Sequence, residues 1–366
     1  MLMNHDLQVH SRYWRGGKGE PQMKRPKTRG PVSTVLLELL TSAPADDPCA
    51  GEELQEPVLT ALAGTPDIAF DDDLQLTLFC LYELHYSGID GVDDAWEWAP
   101  GLIGARKRIE QAFEEKMRSA VELPQRPQTT SGDVAAALFE MTAPDGEGGM
   151  SRFAAKQASA EQLQEFLIHK SMYQLREADP HTWAIPRLRG RAKAALVEIQ
   201  ADEYGGGRPD RVHAELFARA MRGAGLNSEF GGYIDDVPAI TLATGNLMSL
   251  FGLNRRLRGA IVGHLSAYEM TSSQPSRMYA KGLRRAGFGD DVAEYFDEHV
   301  EADAVHEQIA GRDMAGGLVE DEPGLLDDVL FGAAAALAIE TWLGDHIMSA
   351  WEEGGSSLLP QSSFAV

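Results

Sequence analysis

The chain of 366 residues sets 33 Lys and Arg against 56 Asp and Glu, a formal net charge of −23. Affinity for nucleic acid or an anionic membrane comes from Lys and Arg displacing counterions from phosphates, so this balance excludes both roles for the main body. Hydrophobic residues at 43% and charged residues at 24% are ordinary for a globular protein, and the acidity is not a sign of disorder.

Only Cys49 and Cys80 occur, in no metal-type or redox-type spacing, and the first thirty residues lack the apolar run of a secretory leader. A reducing, cytoplasmic setting is expected. Residues 1–30 hold Arg12, Arg15, Lys18, Lys24, Arg25, Lys27 and Arg29 against Asp6 and Glu20, interspersed with Gly and Pro. With no helical or strand period, this stretch reads as a flexible basic arm.

From Val32 onward the apolar period is helical. Residues three and four apart are apolar over Val32–Ser42, Leu74–His85, Leu102–Val121 and Val134–Met141, with Pro- and Gly-containing breaks between them. These helices form an expected N-terminal unit over 31–150 that ends in a Gly-rich link. Ser159 followed by Gln162 gives the glutamine form of a capping box, which opens a helix over Ala160–Glu177. Further helices are predicted over Arg189–Tyr204, Arg211–Arg222, Ile240–Ser249, Arg256–Thr271, Ser276–Ala286, Asp290–Glu307 and Leu325–Trp351. The apolar run Leu330–Ile339 is followed by Glu340 and is about half the length a membrane-spanning helix needs. The expected class is all-α, with a main domain over 151–355 and a tail over 356–366.

The sharpest chemical feature lies on the helix Asp290–Glu307. His299, Asp303 and His306 stand at i, i+4 and i+7, which places two imidazoles and a carboxylate within roughly 60° of one helix face. That donor set suits iron, manganese or zinc; the competing reading is a solvated acidic face. A metal site in a bundle also needs inward donors from other helices. Candidates are Glu177, Glu203, His213 and Glu269; the last lies on an apolar stripe with Val262 and Leu265, where an unpaired carboxylate is costly. Glu198 and Asp202 compete with Glu203 as surface or supporting acids. His181, His264 and Tyr268 are candidate pocket residues. His169 occupies a position on its helix where haem ligation is a further option.

The segments Glu177–Leu188, Lys193–Gly207, Val212–Phe217 and His299–His306, in this order, closely resemble the heme-oxygenase-like diiron oxidases, a family of iron-containing redox enzymes. The resemblance runs over roughly residues 155–350. It implies a seven-helix bundle of the heme-oxygenase type, here with an N-terminal helical extension, holding two irons that react with O2 through a peroxo-diferric oxidant. Carried over position by position, it implies Glu177, His213, Glu269, His299, Asp303 and His306 as ligands. Glu203 matches an additional carboxylate similar to that of the N-oxygenating branch. Ten residues of straight helix would turn Glu203 and His213 nearly a right angle apart, so the intervening Gly205, Gly206, Gly207 and Pro209 are expected to bend the chain.

The resulting expectation is an O2-dependent diiron N-oxygenase of specialised metabolism, acting on a small amine-type or guanidine-like substrate with an external electron donor and functioning as a homodimer. The alternatives are a diiron oxidase cleaving C–H or C–C bonds of a fatty acid or amino acid, and a non-catalytic iron-binding or interaction protein.

Overall fold

The computed structural model describes residues 22–44, 49–144 and 149–360, with the side chains of 301–305 excepted. Within them the chain is all-α, and a lone bridge between Met23 and Ile89 is its one β-type pairing. The N-terminal part contains α1 (Pro31–Leu39), α2 (Gln55–Gly64), α3 (Asp72–Glu83), α4 (Pro100–Ala120) and α5 (Ser131–Met141). There follow α6 (Met150–Lys156), α7 (Ala160–Gln174), the single turn α8 (Asp179–Thr182), α9 (Gly190–Glu203), α10 (His213–Gly223) and α11 (Ala239–Leu253). The last group is α12 (Arg258–Thr271), α13 (Ser273–Arg285), α14 (Asp290–Gln308), a π-helical stretch Ile309–Gly316, α15 (Gly317–Asp321) and α16 (Leu326–Glu352).

Local chemistry accounts for several boundaries. Ser159 and Gln162 form the expected reciprocal capping box at the start of α7, with Ser159 N donating to Gln162 Oε1 at 2.9 Å. Asp71 caps α3 through its own side chain. The orphan amides at the start of α1 are satisfied from outside that helix, because Asp73 of α3 accepts from Val32 N and Ser33 N, each at 2.8 Å. Pro at the first position of α1 and of α4 matches the absence of an amide partner there.

The core is continuous from Met23 to Trp351, so the N-terminal helices and the main bundle share one apolar interior. Within that interior α12 runs against α16. Their backbones approach so closely that a Cβ on Gly263 would lie 1.9 Å from Val329 O, and one on Gly332 1.9 Å from Ala260 O. The N-terminal part meets the bundle where α3 crosses α11: Asn246 Nδ2 donates to Gln75 O at 2.9 Å and to Gln75 Oε1 at 2.8 Å in a fully buried setting.

Two expectations differ from the structure. Residues 1–21 of the expected flexible arm lie outside the described residues, but 22–30 are anchored at Met23, Pro26 and Arg29. Met23 is 1% exposed, and Arg29 donates to Asp72 Oδ1 at 3.0 Å and to Val237 O at 2.8 Å. The missing helical period there reflects an extended strap laid over the bundle, whose polar backbone is satisfied by neighbours such as Gly88 O. The helix expected to reach Glu177 ends at Gln174 instead, and Ala178 adopts φ 77°, ψ −27°, the only left-handed non-glycine backbone among the described residues. A left-handed residue cannot continue an α-helix, so the chain turns a corner directly after Glu177.

Candidate metal centre

Five parts of the bundle converge on one interior region. Glu177 comes from the corner after α7, Glu203 from the last residue of α9, His213 from the first residue of α10, Glu269 from α12, and His299 and His306 from α14. All but Glu177 are buried, and Glu177 is 10% exposed at its side chain. Their donor atoms gather into two groups, Glu177 with His213 and His299, and Glu203 with Glu269 and His306; within each group they lie within 4.8 Å of one another. The backbone of Asp303 belongs to α14, and its side chain lies outside the described residues.

The reversal between α9 and α10 brings Glu203 and His213 together. Gly205, Gly206 and Gly207 all have positive φ, at 72°, 59° and 81°. A Cβ at Gly205 would come within 2.7 Å of the backbone of Arg211 and Val212, so the chain can double back there only on glycine. The expected bend thereby sets Glu203 Oε2 3.0 Å from His213 Nδ1, and His213 Nδ1 is also 4.0 Å from Glu177 Oε2. Glu203 therefore stands between the two groups.

Each imidazole of α14 has one nitrogen engaged on its outer side and the other directed inward. His299 Nδ1 lies 2.8 Å from Tyr295 O, a carbonyl that can only accept, so Nδ1 carries the proton and Nε2 faces Glu177 Oε1 at 3.4 Å. His306 Nε2 lies 3.0 Å from Asp202 Oδ2, leaving Nδ1 3.4 Å from Glu269 Oε2. Outer-side partners of this kind fix the ring orientation of a metal-ligating histidine. Tyr295 OH donates to both oxygens of Glu177, at 2.8 and 2.7 Å, and holds that carboxylate in place.

The charges in the two groups are mutually dependent. Burial favours a neutral Glu203, but His213, His299 and His306 outweigh it and hold the carboxyl below its usual range. Burial likewise opposes charge on His306, yet Glu269 and Asp202 raise it to about 9. Glu269, buried like Glu203, is pushed up by desolvation and by the Glu203 charge against the pull of His306.

The donors fit a metal. His213 Nδ1, Glu269 Oε2 and His306 Nδ1 are buried without an aligned hydrogen bond, although each is 3.0–3.4 Å from a group of opposite charge preference. Orphaned buried polar atoms call for an explanation. Mixed imidazole and carboxylate donors directed at common points are the ligand chemistry of iron, manganese and zinc.

The other sequence candidates are dispersed. Glu198 is exposed on the outer face of α9, away from both groups, whereas Asp202 is exposed but touches His306. His181 and His264 form a buried pair, with His181 Nε2 3.2 Å from His264 Nδ1, and the Tyr268 ring lies 4.3 Å from that of His264. Both rings of the pair are kept neutral by desolvation; for His264 the value falls to about 3. Both nitrogens of His169 are engaged by hydroxyl groups, Thr241 Oγ1 at 2.7 Å and Ser357 Oγ at 3.0 Å, which argues against the haem option.

A cavity of about 700 Å³ opens onto the centre, its wall including Glu177 and His299 of one group and Glu203 and Glu269 of the other. Its wall includes Tyr173, Tyr268, Lys170 and Glu340, and the last three are joined: Lys170 Nζ lies 2.7 Å from Glu340 Oε2, and Tyr268 OH donates to Glu340 Oε1 at 2.9 Å. Sequence reading did not single out Tyr295, Lys170 or Glu340. For Tyr295 a signal was present, because it stands one helical turn before His299 on the same face.

Residues 164–341 match the model of a family described as iron-containing redox enzymes, a little under half of the chain. The chain is also similar to a nitrosourea synthase from Streptomyces achromogenes subsp. streptozoticus, with 31% identity over 160 residues. That match covers 43% of this chain and 34% of the relative, so the chain spans about a third of the length of the curated protein it matches.

Proposed function

We propose that the chain, whose residues 164–341 match the model of the iron-containing redox enzymes, is a non-haem diiron oxygenase that uses O2 to oxidise an amine or guanidine-type nitrogen. The observation that carries this reading is the pair of donor groups, Glu177–His213–His299 and Glu203–Glu269–His306, with Glu203 Oε2 3.0 Å from His213 Nδ1 between them. Two irons held by these groups would supply the binding and activation of O2.

The remaining work falls to the chain. Glu177, His213 and His299 would hold one ion, and Glu203, Glu269 and His306 the other, with Asp303 assigned to the same centre from the sequence. Tyr295 fixes the Glu177 carboxylate, and Asp202 holds the Nε2–H of His306 so that Nδ1 faces inward. Electrons come from an external donor.

The cavity bears on the substrate. Its lining is mixed: Phe166, Leu265, Phe296 and Met348 supply apolar wall, and Lys170, Glu340 and the hydroxyl of Tyr268 supply a polar group where an amine or guanidine could be oriented. The similarity to a protein named for nitrosourea synthesis supports nitrogen as the atom oxidised. The reading is tested by supplying O2 to the anaerobically Fe(II)-loaded protein in the presence of amine, guanidine, fatty-acid and amino-acid compounds. Faster O2 consumption with an amine or guanidine, and a product bearing a new N–O bond by mass spectrometry, is expected. Acceleration by the fatty or amino acids alone, with C–C or C–H cleavage products, would overturn it.

A further inference from the structure

Arg176 immediately precedes Glu177, and its side chain is held jointly by Glu83 and Tyr86 of the N-terminal part and by Phe230, between α10 and α11. Its guanidinium is sandwiched between the rings of Phe230, 3.8 Å to the centroid, and Tyr86, 4.4 Å to the centroid. Its Nη2 lies 2.6 Å from Oε1 and 2.5 Å from Oε2 of Glu83, the last residue of α3. The Glu83 side chain is 0% exposed and that of Arg176 10%. A fully buried carboxylate is costly unless its partner is close and fixed, and a guanidinium pinned between two aromatic faces meets that requirement. Tyr86 is itself anchored, with its hydroxyl 3.1 Å from Ser249 Oγ on α11.

The other side of the same corner is tied to α9. Ala178 O accepts from Gln200 Nε2 at 3.0 Å, and Gln200 Nε2 also reaches Thr182 Oγ1 at 2.8 Å. Tyr204 OH donates to Asp179 Oδ1 at 2.8 Å. Glu177 therefore stands on a non-helical corner with a left-handed residue directly after it, between one clamp from α9 and one from α3. Backbone in that region persists only where its surroundings hold it.

We propose that the N-terminal helical part is a working component of the metal centre, and that Glu83, acting through Arg176, is a positioning residue that sets the Glu177 carboxylate toward His213 and His299. Glu83 and Tyr86 lie outside residues 164–341, so the segment matching the family model does not contain the whole support of its own site. The inference rests on the metal reading of the two donor groups. It assigns the α3 clamp to the Glu177 group because Arg176, the residue Glu83 holds, is the direct chain neighbour of Glu177.

Anaerobic Co(II) titration of the full chain, followed by visible absorption and calorimetry, separates the two binding steps once His299→Gln and Glu269→Gln have assigned each step to its group. In Glu83→Gln, which keeps shape and removes charge, the step of the Glu177 group is expected to weaken by roughly tenfold or more with an altered absorption band. The step of the Glu269 group should stay within about twofold. Glu83→Asp should recover part of the loss. Unchanged affinity at both steps overturns the proposal, as does an equal loss at both that tracks a lowered metal-free melting temperature, because the pair would then serve only the fold. Failure of the metal reading is seen separately in the wild type: no Co(II) uptake there overturns that reading and this inference together.

Discussion

The buried histidines His213, His306 and His169 differ by what surrounds them. His213 and His306 sit beside carboxylates, which raise their proton affinity against desolvation. His169 has only hydroxyl partners, and burial lowers it to about 3. The unfolded chain takes up a proton on this ring near pH 6.5, whereas the folded chain does so only near 3. His169 therefore contributes stability that is complete above about pH 6.5 and is lost as the pH falls toward 3. His169→Gln, which can still hydrogen bond but does not titrate, should show a shallower loss of chemical-denaturation stability over that range. The expected difference in slope approaches one proton, about 1.4 kcal/mol per pH unit. Identical slopes in the two proteins would contradict a neutral buried ring.

At the level of helices and turns, the corner after α7 and the reversal between α9 and α10 do more for the site than the helices themselves. The reversal depends on Gly205, whose φ of 72° and lack of a Cβ let the backbone pass close to Arg211 and Val212. Gly205→Ala should destabilise the chain by about 1–2 kcal/mol from left-handed backbone alone, and by more from the close contact. Because the turn sets Glu203 against His213, the same variant should weaken metal binding more than a surface Gly→Ala such as at Gly64, where a Cβ meets nothing within 4 Å. Equal metal affinity in the two variants would show that the turn does not position the pair.

The same elements show what sequence reading could reach. Ser159 with Gln162 announced the start of α7, because a capping box is a local device. The three glycines and Pro209 announced a bend, because only the left-handed region explains such a cluster. Helix α2 was missed: its ten residues include Pro57, two alanines and a terminal glycine, with little apolar period to detect. The π-helical stretch after α14 was missed too, since a widened helix leaves no mark in an apolar period of 3.6. The donor residues were legible one by one, through spacing on α14 and through resemblance elsewhere. Their division into two groups was not, because it depends on where five separate elements meet. Glu83 and Arg176 were illegible for the same reason: the pair is 93 residues apart in sequence, and neither residue belongs to a motif.

Taken whole, the molecule is an acidic helical body of net charge −23, with three carboxylates, Glu177, Glu203 and Glu269, gathered in its interior. No helix among the described residues is long and apolar enough to cross a membrane. The N-terminal helices are continuous with the bundle through one core, so α3 reaches the corner that bears Glu177 instead of standing apart as an appendage. Carboxylates clustered in an apolar interior are stable only when paired with protons or cations, and the histidines between them supply donors that protons alone leave unaligned. Metal content therefore decides between a diiron oxygenase and a helical protein whose inward acids serve only the fold. Anaerobic titration with Fe(II), counting ions bound per chain by elemental analysis after removal of the excess, should give two, falling to one in His299→Gln and in Glu269→Gln. Less than one ion per chain in the wild type, or no change in either variant, would contradict a two-metal centre built from these residues.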